Sequence, residues 1–261
     1  MRIPRPSAAH FPPTTSTTLD KRFKKLIIVF IWLIIWQLVS VLVNNRILLA
    51  GPVETAITLF GLLKTSAFYI SVLSTLLKIV LGFLAGVVIG SLLAFISYRS
   101  SLFKEFIAPF VSAVKSVPVA SFAILVLIWV GAPNLSLVIS ALVVFPIVYL
   151  NLTEGLSSTD GELLEMAEVF HMRKKDILFH IYLPHLKPFL ISSLGLSCGM
   201  AWKSGIAAEV IGRPLSSMGN GIYLSKIYIN TSELFAWTFA AVVLAYLMER
   251  GVRAALGRLI R

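Results

Sequence analysis

The chain has 261 residues, 57% of them hydrophobic and only 13% charged, with a mean hydropathy of +0.89. A soluble domain carries about 25% charged residues, so this composition excludes a water-soluble globule and indicates an all-α polytopic membrane protein. The net charge of +11 resides in short basic clusters between apolar runs. With no aromatic platforms on a basic face, it points to membrane topology rather than nucleic acid.

Residues 1–20 are rich in Pro, Ser and Thr, and Lys21, Arg22, Lys24 and Lys25 follow. Residues 1–25 are expected to form a disordered, basic cytoplasmic tail. The apolar run from Leu26 to about Val43 is longer than a signal-peptide core and lacks a small-residue cleavage site, so it reads as an uncleaved first span. With its extracytoplasmic connection it makes a unit over 26–70. A core of five further spans is expected over 71–256. They cover about Ser71–Tyr98, Leu102–Val130, Leu135–Leu152, Pro184–Ile211 and Glu233–Arg253, each long enough for the roughly 20 apolar residues a bilayer needs.

Charge tests the count. With the N-terminus inside, sixteen of the 23 Lys and Arg residues fall on the cytoplasmic side. Arg46, Lys64, Arg213 and Lys226 fall on the other, and Lys78, Lys115 and Lys203 lie inside spans. Six spans with both termini cytoplasmic satisfy the positive-inside rule, and the loop at about 154–183, between the fourth and fifth spans, then faces the cytoplasm.

Gly82, Gly86 and Gly90 recur at four-residue steps in the second span, and Gly195 and Gly199 repeat the step in the fifth. Such stripes let helices approach closely, as static packing or as sliding surfaces. Pro118 removes a backbone hydrogen bond and is expected to break the third span, as would suit a helix beside a transport path. Lys203 and Glu209 lie inside the fifth span, where a charge at the bilayer centre costs roughly 2.5–3.5 kcal/mol. Six residues apart, they are about 240° apart around the helix and do not form a same-face ion pair. Lys203, beside Trp202, fits either a pathway lysine favouring an anionic solute or a lysine tied to another span; Glu209 fits a brace for the loop that follows it. His171, His180 and His185 have spacings that match no metal pair. The single cysteine, Cys198, rules out an intrachain disulfide. No catalytic constellation, metal site or cofactor is expected.

The loop between the fourth and fifth spans contains a short amphipathic helix. Leu163, Met166, Ala167 and Phe170 form one apolar stripe. Asp160, Glu162, Glu165 and Glu168 lie toward its N-terminal end and Arg173, Lys174 and Lys175 toward its C-terminal end, both favourable to the helix dipole. The alternatives are a docking surface for a soluble partner and a helix resting on membrane lipid.

At this loop the chain resembles the permease subunits of bacterial ABC importers, whose cytoplasmic loop reads E-A-A, three residues, G, nine residues, I-x-L-P. Glu165, Ala167, Ile181, Leu183 and Pro184 match at that spacing. Met166 replaces the first alanine, and His171 takes the place of the glycine. A helical His171 is expected to keep the loop folded, which puts a glycine-dependent bend there in question. Leu81-Gly82-Phe83, Ser116-Val117-Pro118-Val119, Phe145-Pro146-Ile147, Tyr149-Leu150-Asn151, Ala208-Glu209-Val210-Ile211-Gly212 and Met218-Gly219-Asn220-Gly221 resemble the nitrate/sulfonate/taurine branch of that family. The likeness covers about the last two-thirds of the chain.

The resemblance implies a homodimeric pathway working by alternating access. Each loop helix would dock on a cytoplasmic ATPase subunit, and an extracytoplasmic solute-binding protein would deliver the solute. The implied coupling residues are Glu165, Met166, Ala167, Phe170, His171, Ile181, Leu183 and Pro184. The pathway candidates are Lys203, Glu209, Pro118 and Trp202. No G-x-x-x-x-G-K-[ST] loop occurs in the sequence, so ATP chemistry is expected on the partner and the chain itself is not expected to be an enzyme. A bulky or charged residue at Ala167 should uncouple ATP hydrolysis from transport without preventing insertion. Rival readings are a secondary transporter or channel with Lys203 and Glu209 as an ion or proton site, an intramembrane enzyme, and a membrane scaffold.

Overall fold

The computed structural model describes residues 18–45 and 47–259, and every described regular element is helical. The expected tail over 1–17 and Arg46 lie outside the described residues. In chain order the helices are α1 (Thr18–Val43), α2 (Pro52–Leu62), α3 (Ser66–Arg99), α4 (Ser101–Ser116), α5 (Val119–Ser157), α6 (Gly161–Val169) and α7 (Lys174–Ile177). A π-helical turn over Leu178–Tyr182 leads into α8 (Leu183–Gly212), followed by α9 (Met218–Ile227) and α10 (Thr231–Leu259).

Residues 18–25 of the expected tail are helical and open α1. Lys and Arg are good helix formers, and here the basic cluster extends the apolar helix behind it. Five helical stretches are long and apolar enough to cross a membrane: Phe23–Val43, Ser66–Arg99, Val119–Ser157, Lys174–Gly212 and Thr231–Gly257. The expected third span is divided. Its first half is α4, which ends at Ser116, and its second half opens α5 after Pro118, with Val117 and Pro118 both in extended backbone. Proline lacks the amide that would have continued the helix.

Helix α5 is not one rod. Gly131 has φ 71° and ψ 168°, a conformation open to glycine alone at little cost, and the chain folds back there. Val119 and Phe122 consequently line a small apolar notch with Ile139, Leu142 and Val143. The reversal falls in the gap between the third and fourth expected spans.

The centre of the bundle is set by three helices. A side chain added at Gly82 would sit 2.3 Å from the Leu137 carbonyl, at Gly86 2.6 Å from Val144 Cβ, and at Gly90 2.6 Å from the Phe145 carbonyl. The rising pairs show that α3 and the second half of α5 run parallel, with backbone on backbone. Helix α8 runs antiparallel to both: Gly205 meets Ile79 and Ser140, and Gly155 meets Leu186 and Phe189. Ile79, Leu135, Ile139, Val144 and Val148 are buried at this junction. In contrast, nothing lies within 4 Å of a side chain added at Gly195 or Gly199. Among the described residues of one copy, their face of α8 points away from the bundle.

Helix α1 stands apart. Apart from Trp36, its apolar residues are exposed from Phe23 to Val43. It is tied to the rest near one end, where Trp36 Nε1 donates to the Ala50 carbonyl and Ser40 Oγ to the Leu49 carbonyl.

Candidate functional site

Asp160 opens α6, its carboxylate accepting from the Glu162 amide at 2.9 Å. That satisfies one of the orphan amides of the first turn. Along this nine-residue helix the apolar residues divide between two faces. Ala167 is fully buried against the protein, whereas Leu163 (43%), Met166 (45%), Val169 (75%) and Phe170 (73%) are exposed. The expected stripe is therefore corrected: Ala167 seats the helix, and Leu163, Met166 and Phe170 face outward with Val169, which the sequence reading missed. Ala167 borders Leu163 and Phe170, four and three residues away, but lies at one edge of the stripe, about 100° around the helix from Met166 and about 160° from Val169 on the far edge. Arginine at Ala167 would unseat the loop before it could test docking.

His171 is not helical. It has φ 49°, in the left-handed region that costs a non-glycine residue roughly 1–2 kcal/mol. The Met172 amide donates to the Ala167 carbonyl at 2.9 Å and the His171 amide to the Glu168 carbonyl at 3.0 Å. These two bonds make a Schellman ending, with histidine in the place usually taken by glycine. The expected helical conformation of His171 is corrected, and the bend is kept. The carbonyls at the end of α6 need partners, and this arrangement supplies them.

The chain then returns to the bundle. Ile181 is buried, while Glu165, Leu183 and Pro184 are exposed. In the π turn the Leu183 amide donates to Leu178, five residues back. Pro184 has no amide to continue the usual ladder, so the wider turn carries the chain into α8 without a break. Tyr182 Oη lies 2.9 Å from Tyr98 Oη at the end of α3, with the rings edge-on. Ser158 Oγ lies 3.2 Å from His185 Nε2, joining the end of α5 to the start of α8. The loop thus has one face built onto three long helices and another left apolar and bare.

The pathway candidates are scattered. Lys203 is exposed on the outward face of α8, along with Ile191, Leu196 and Met200. Trp202 is buried in the main core, about 100° around the helix from Lys203. Pro118 is exposed at the break between α4 and α5.

Glu209 is fully buried. Its Oε2 accepts from Thr75 Oγ1 at 2.8 Å and from the Gly219 amide at 3.2 Å, and its Oε1 accepts from Ser136 Oγ at 3.3 Å. Its carboxylate is enclosed among α3, α5, α8 and α9. Thr75 and Ser136 lie 134 and 73 residues away in sequence, and no local pattern pointed to them. A hollow of about 350 Å³ lies between α2 and the α9–α10 turn, lined by Ile47, Glu54, Ile57, Thr58 and residues 229–232. Among the described residues no group of three His, Cys, Asp or Glu side chains could hold a metal ion.

Residues 86–256 match the family of inner membrane components of binding-protein-dependent transport systems. The chain belongs to that family. It is a permease component, a multi-pass protein of the bacterial inner membrane, and components of this kind are not themselves the catalytic subunits. The permease is similar to a putative aliphatic sulfonates transport permease protein of Bacillus subtilis (strain 168), with 24% identity over 95% of this chain and 93% of the relative. It is 23% identical to the nitrate import permease protein of Synechococcus elongatus, over 69% of this chain and 68% of that one. It is 23% identical to the taurine transport system permease protein of Escherichia coli (strain K12), over 71% and 68%. In three dimensions it is similar to a chain from the crystal structure of a bacterial ABC transporter involved in import of the acidic polysaccharide alginate. That match has a TM-score of 0.59 and 17% identity, and covers 94% of this permease and 100% of that chain. The likeness establishes a shared fold.

Proposed function

We propose that this permease forms the solute pathway of an ATP-driven importer, as a pair of identical copies working by alternating access. The α6 loop is its coupling element, docked on a separate cytoplasmic ATPase subunit. A solute-binding protein delivers the solute at the opposite end. The observation that carries this reading is the divided face of α6. Ala167 and Ile181 are buried in the chain itself, while Leu163, Met166, Val169 and Phe170 stand exposed beside the bend at His171. An apolar patch of this kind, rimmed by Glu165 and Arg173, is the usual mark of a protein contact.

The topology follows from charge. The side bearing α6 carries the excess of Lys and Arg and is cytoplasmic. Six crossings result when α4 and residues 119–130 are taken together as the third. Lys203 supports a pathway between copies. A lysine on a bare face well inside a span needs water or a partner rather than lipid, and a pathway between two α8 helices supplies both. Its charge, together with relatives named for sulfonate, nitrate and taurine transport, supports a small anionic or zwitterionic solute.

The test is reconstitution of permease, ATPase subunits and binding protein in proteoliposomes. Phe170→Asp should reduce ATP-dependent uptake at least tenfold while the permease still inserts and pairs. Wild-type uptake by that variant, or uptake by the permease alone under an ion gradient, would remove the basis for this reading.

A further inference from the structure

Helix α9 begins in an unusual way. A helix N-terminus leaves four amides without intrahelical partners, and in α9 those of Met218, Gly219 and Asn220 each find an acceptor before the helical ladder begins at Gly221. The Met218 amide donates to Thr75 Oγ1 at 3.0 Å and the Gly219 amide to Glu209 Oε2 at 3.2 Å. The Asn220 amide donates to Ser217 Oγ and the Gly221 amide to the Ser217 carbonyl, each at 3.1 Å. The last two bonds are local. The first two come from α3 and α8.

Thr75 Oγ1 donates to the same Glu209 oxygen that receives Gly219. The hydroxyl thus accepts from α9 and donates to α8, and the carboxylate gathers α3, α5 and α9 in one place. Its oxygens face the positive end of the α9 dipole. Sterics add to this. A side chain at Gly219 would lie 2.3 Å from Glu209 Cβ and 2.7 Å from the Val210 amide nitrogen, so the two backbones touch. At the other end of its first turn α9 is held against α10, where a side chain at Gly221 would lie 2.5 Å from the Trp237 ring.

We infer that Glu209 is a positioning residue that welds α9 to α8 and α3, so that the closure at the end opposite α6 moves as one body with the helix carrying Lys203. The inference rests on the importer reading for what that body does, and on the hydrogen bonds alone for its rigidity. Six residues along a helix is about 9 Å, so Lys203 and the weld occupy neighbouring levels of α8 on different faces. Tilting α8 at its Tyr182 end carries α9 with it, because Met218 and Gly219 would otherwise lose their acceptors in a water-poor interior. No ion needs to occupy Glu209 in this scheme; its shape and its acceptors are what matter.

The experiment uses the assembled transporter in proteoliposomes, with spin labels introduced by Leu73→Cys on α3 and Leu224→Cys on α9, both exposed. Labelled copies are diluted with unlabelled ones. Distances are measured nucleotide-free and with ATP trapped, alongside solute moved per ATP hydrolysed. The parent should give one narrow distance that is the same in both states. Glu209→Ala and Thr75→Val should widen the distribution at least twofold and lower solute per ATP at least threefold. Glu209→Gln, which keeps an oxygen for Thr75 and Gly219, should stay within about 1.5-fold of the parent on both readouts.

A distance in the parent that changes between states overturns the inference, as does an unaltered distribution in Thr75→Val, which decides the matter if Glu209→Ala does not fold. Loss of transport in Glu209→Gln at an unchanged distance would make Glu209 an ion or proton site instead. Failure of the importer reading has a separate signature: no ATPase-dependent uptake by the parent, whatever the distances report.

Discussion

Replacing His171 with glycine should make the α6 loop firmer. The residue sits at φ 49°, where a side chain costs roughly 1–2 kcal/mol. Glycine removes that cost but gives the unfolded loop more freedom, worth about 0.4–1 kcal/mol in the other direction. About 0.5–1 kcal/mol of net local stabilisation remains, a factor of about two to five in the opening equilibrium. The reporter is the Met172 amide, bonded to the Ala167 carbonyl only while the bend is intact. Hydrogen exchange at Met172, corrected for its intrinsic rate, should slow about two- to fivefold in His171→Gly. His171→Ile, with a β-branched residue in the left-handed region, should accelerate it by at least as much. Unchanged or faster exchange in His171→Gly would refute the claim that histidine holds this bend under strain.

The two glycine stripes should behave differently. Gly86→Ala places a carbon 2.6 Å from Val144 Cβ, an overpacking that typically costs about 1–3 kcal/mol, and the detergent-solubilised permease should melt lower. Gly199→Ala should leave the melting of a single copy unchanged, and any effect should appear as lost pairing of copies in crosslinking. Ala167→Arg should increase proteolytic cleavage within 158–175, whereas Phe170→Asp should not. Tyr98→Phe and Tyr182→Phe should each weaken the tie between α3 and the π turn by about 0.5–1.5 kcal/mol. The double variant should be no worse than either single one, as a shared bond requires, read as the exchange rate of amides in the π turn.

Much of the architecture is written locally. Apolar length marks the long helices, Pro118 marks the break, and the interval between Val130 and Leu135 brackets the reversal at Gly131. Asp160 and the charges after it mark the limits of α6. Which face of a helix turns inward was less accessible. Gly82 and Gly195 belong to equally regular stripes, yet one meets α5 and the other meets nothing in its own chain. Periodicity reports that a face exists, and only tertiary contact decides what covers it. Ala167 shows the same limit: a small residue inside an apolar stripe reads as part of a docking face, while its size is what lets α6 sit down. The surroundings of Glu209 were out of reach because Thr75 and Ser136 arrive from other helices.

Helix α1 shows how unevenly sequence is constrained along this chain. Among the described residues its contacts with the rest of the chain gather at Trp36, Gln37 and Ser40, and it lies wholly before the stretch 86–256 that matches the family. Oiliness and length are the demands placed on most of its positions, whereas one methyl group at Gly86 or Gly219 already meets a wall. Natural variation and engineered tags alike should find the first helix forgiving and the third, fifth and eighth unforgiving.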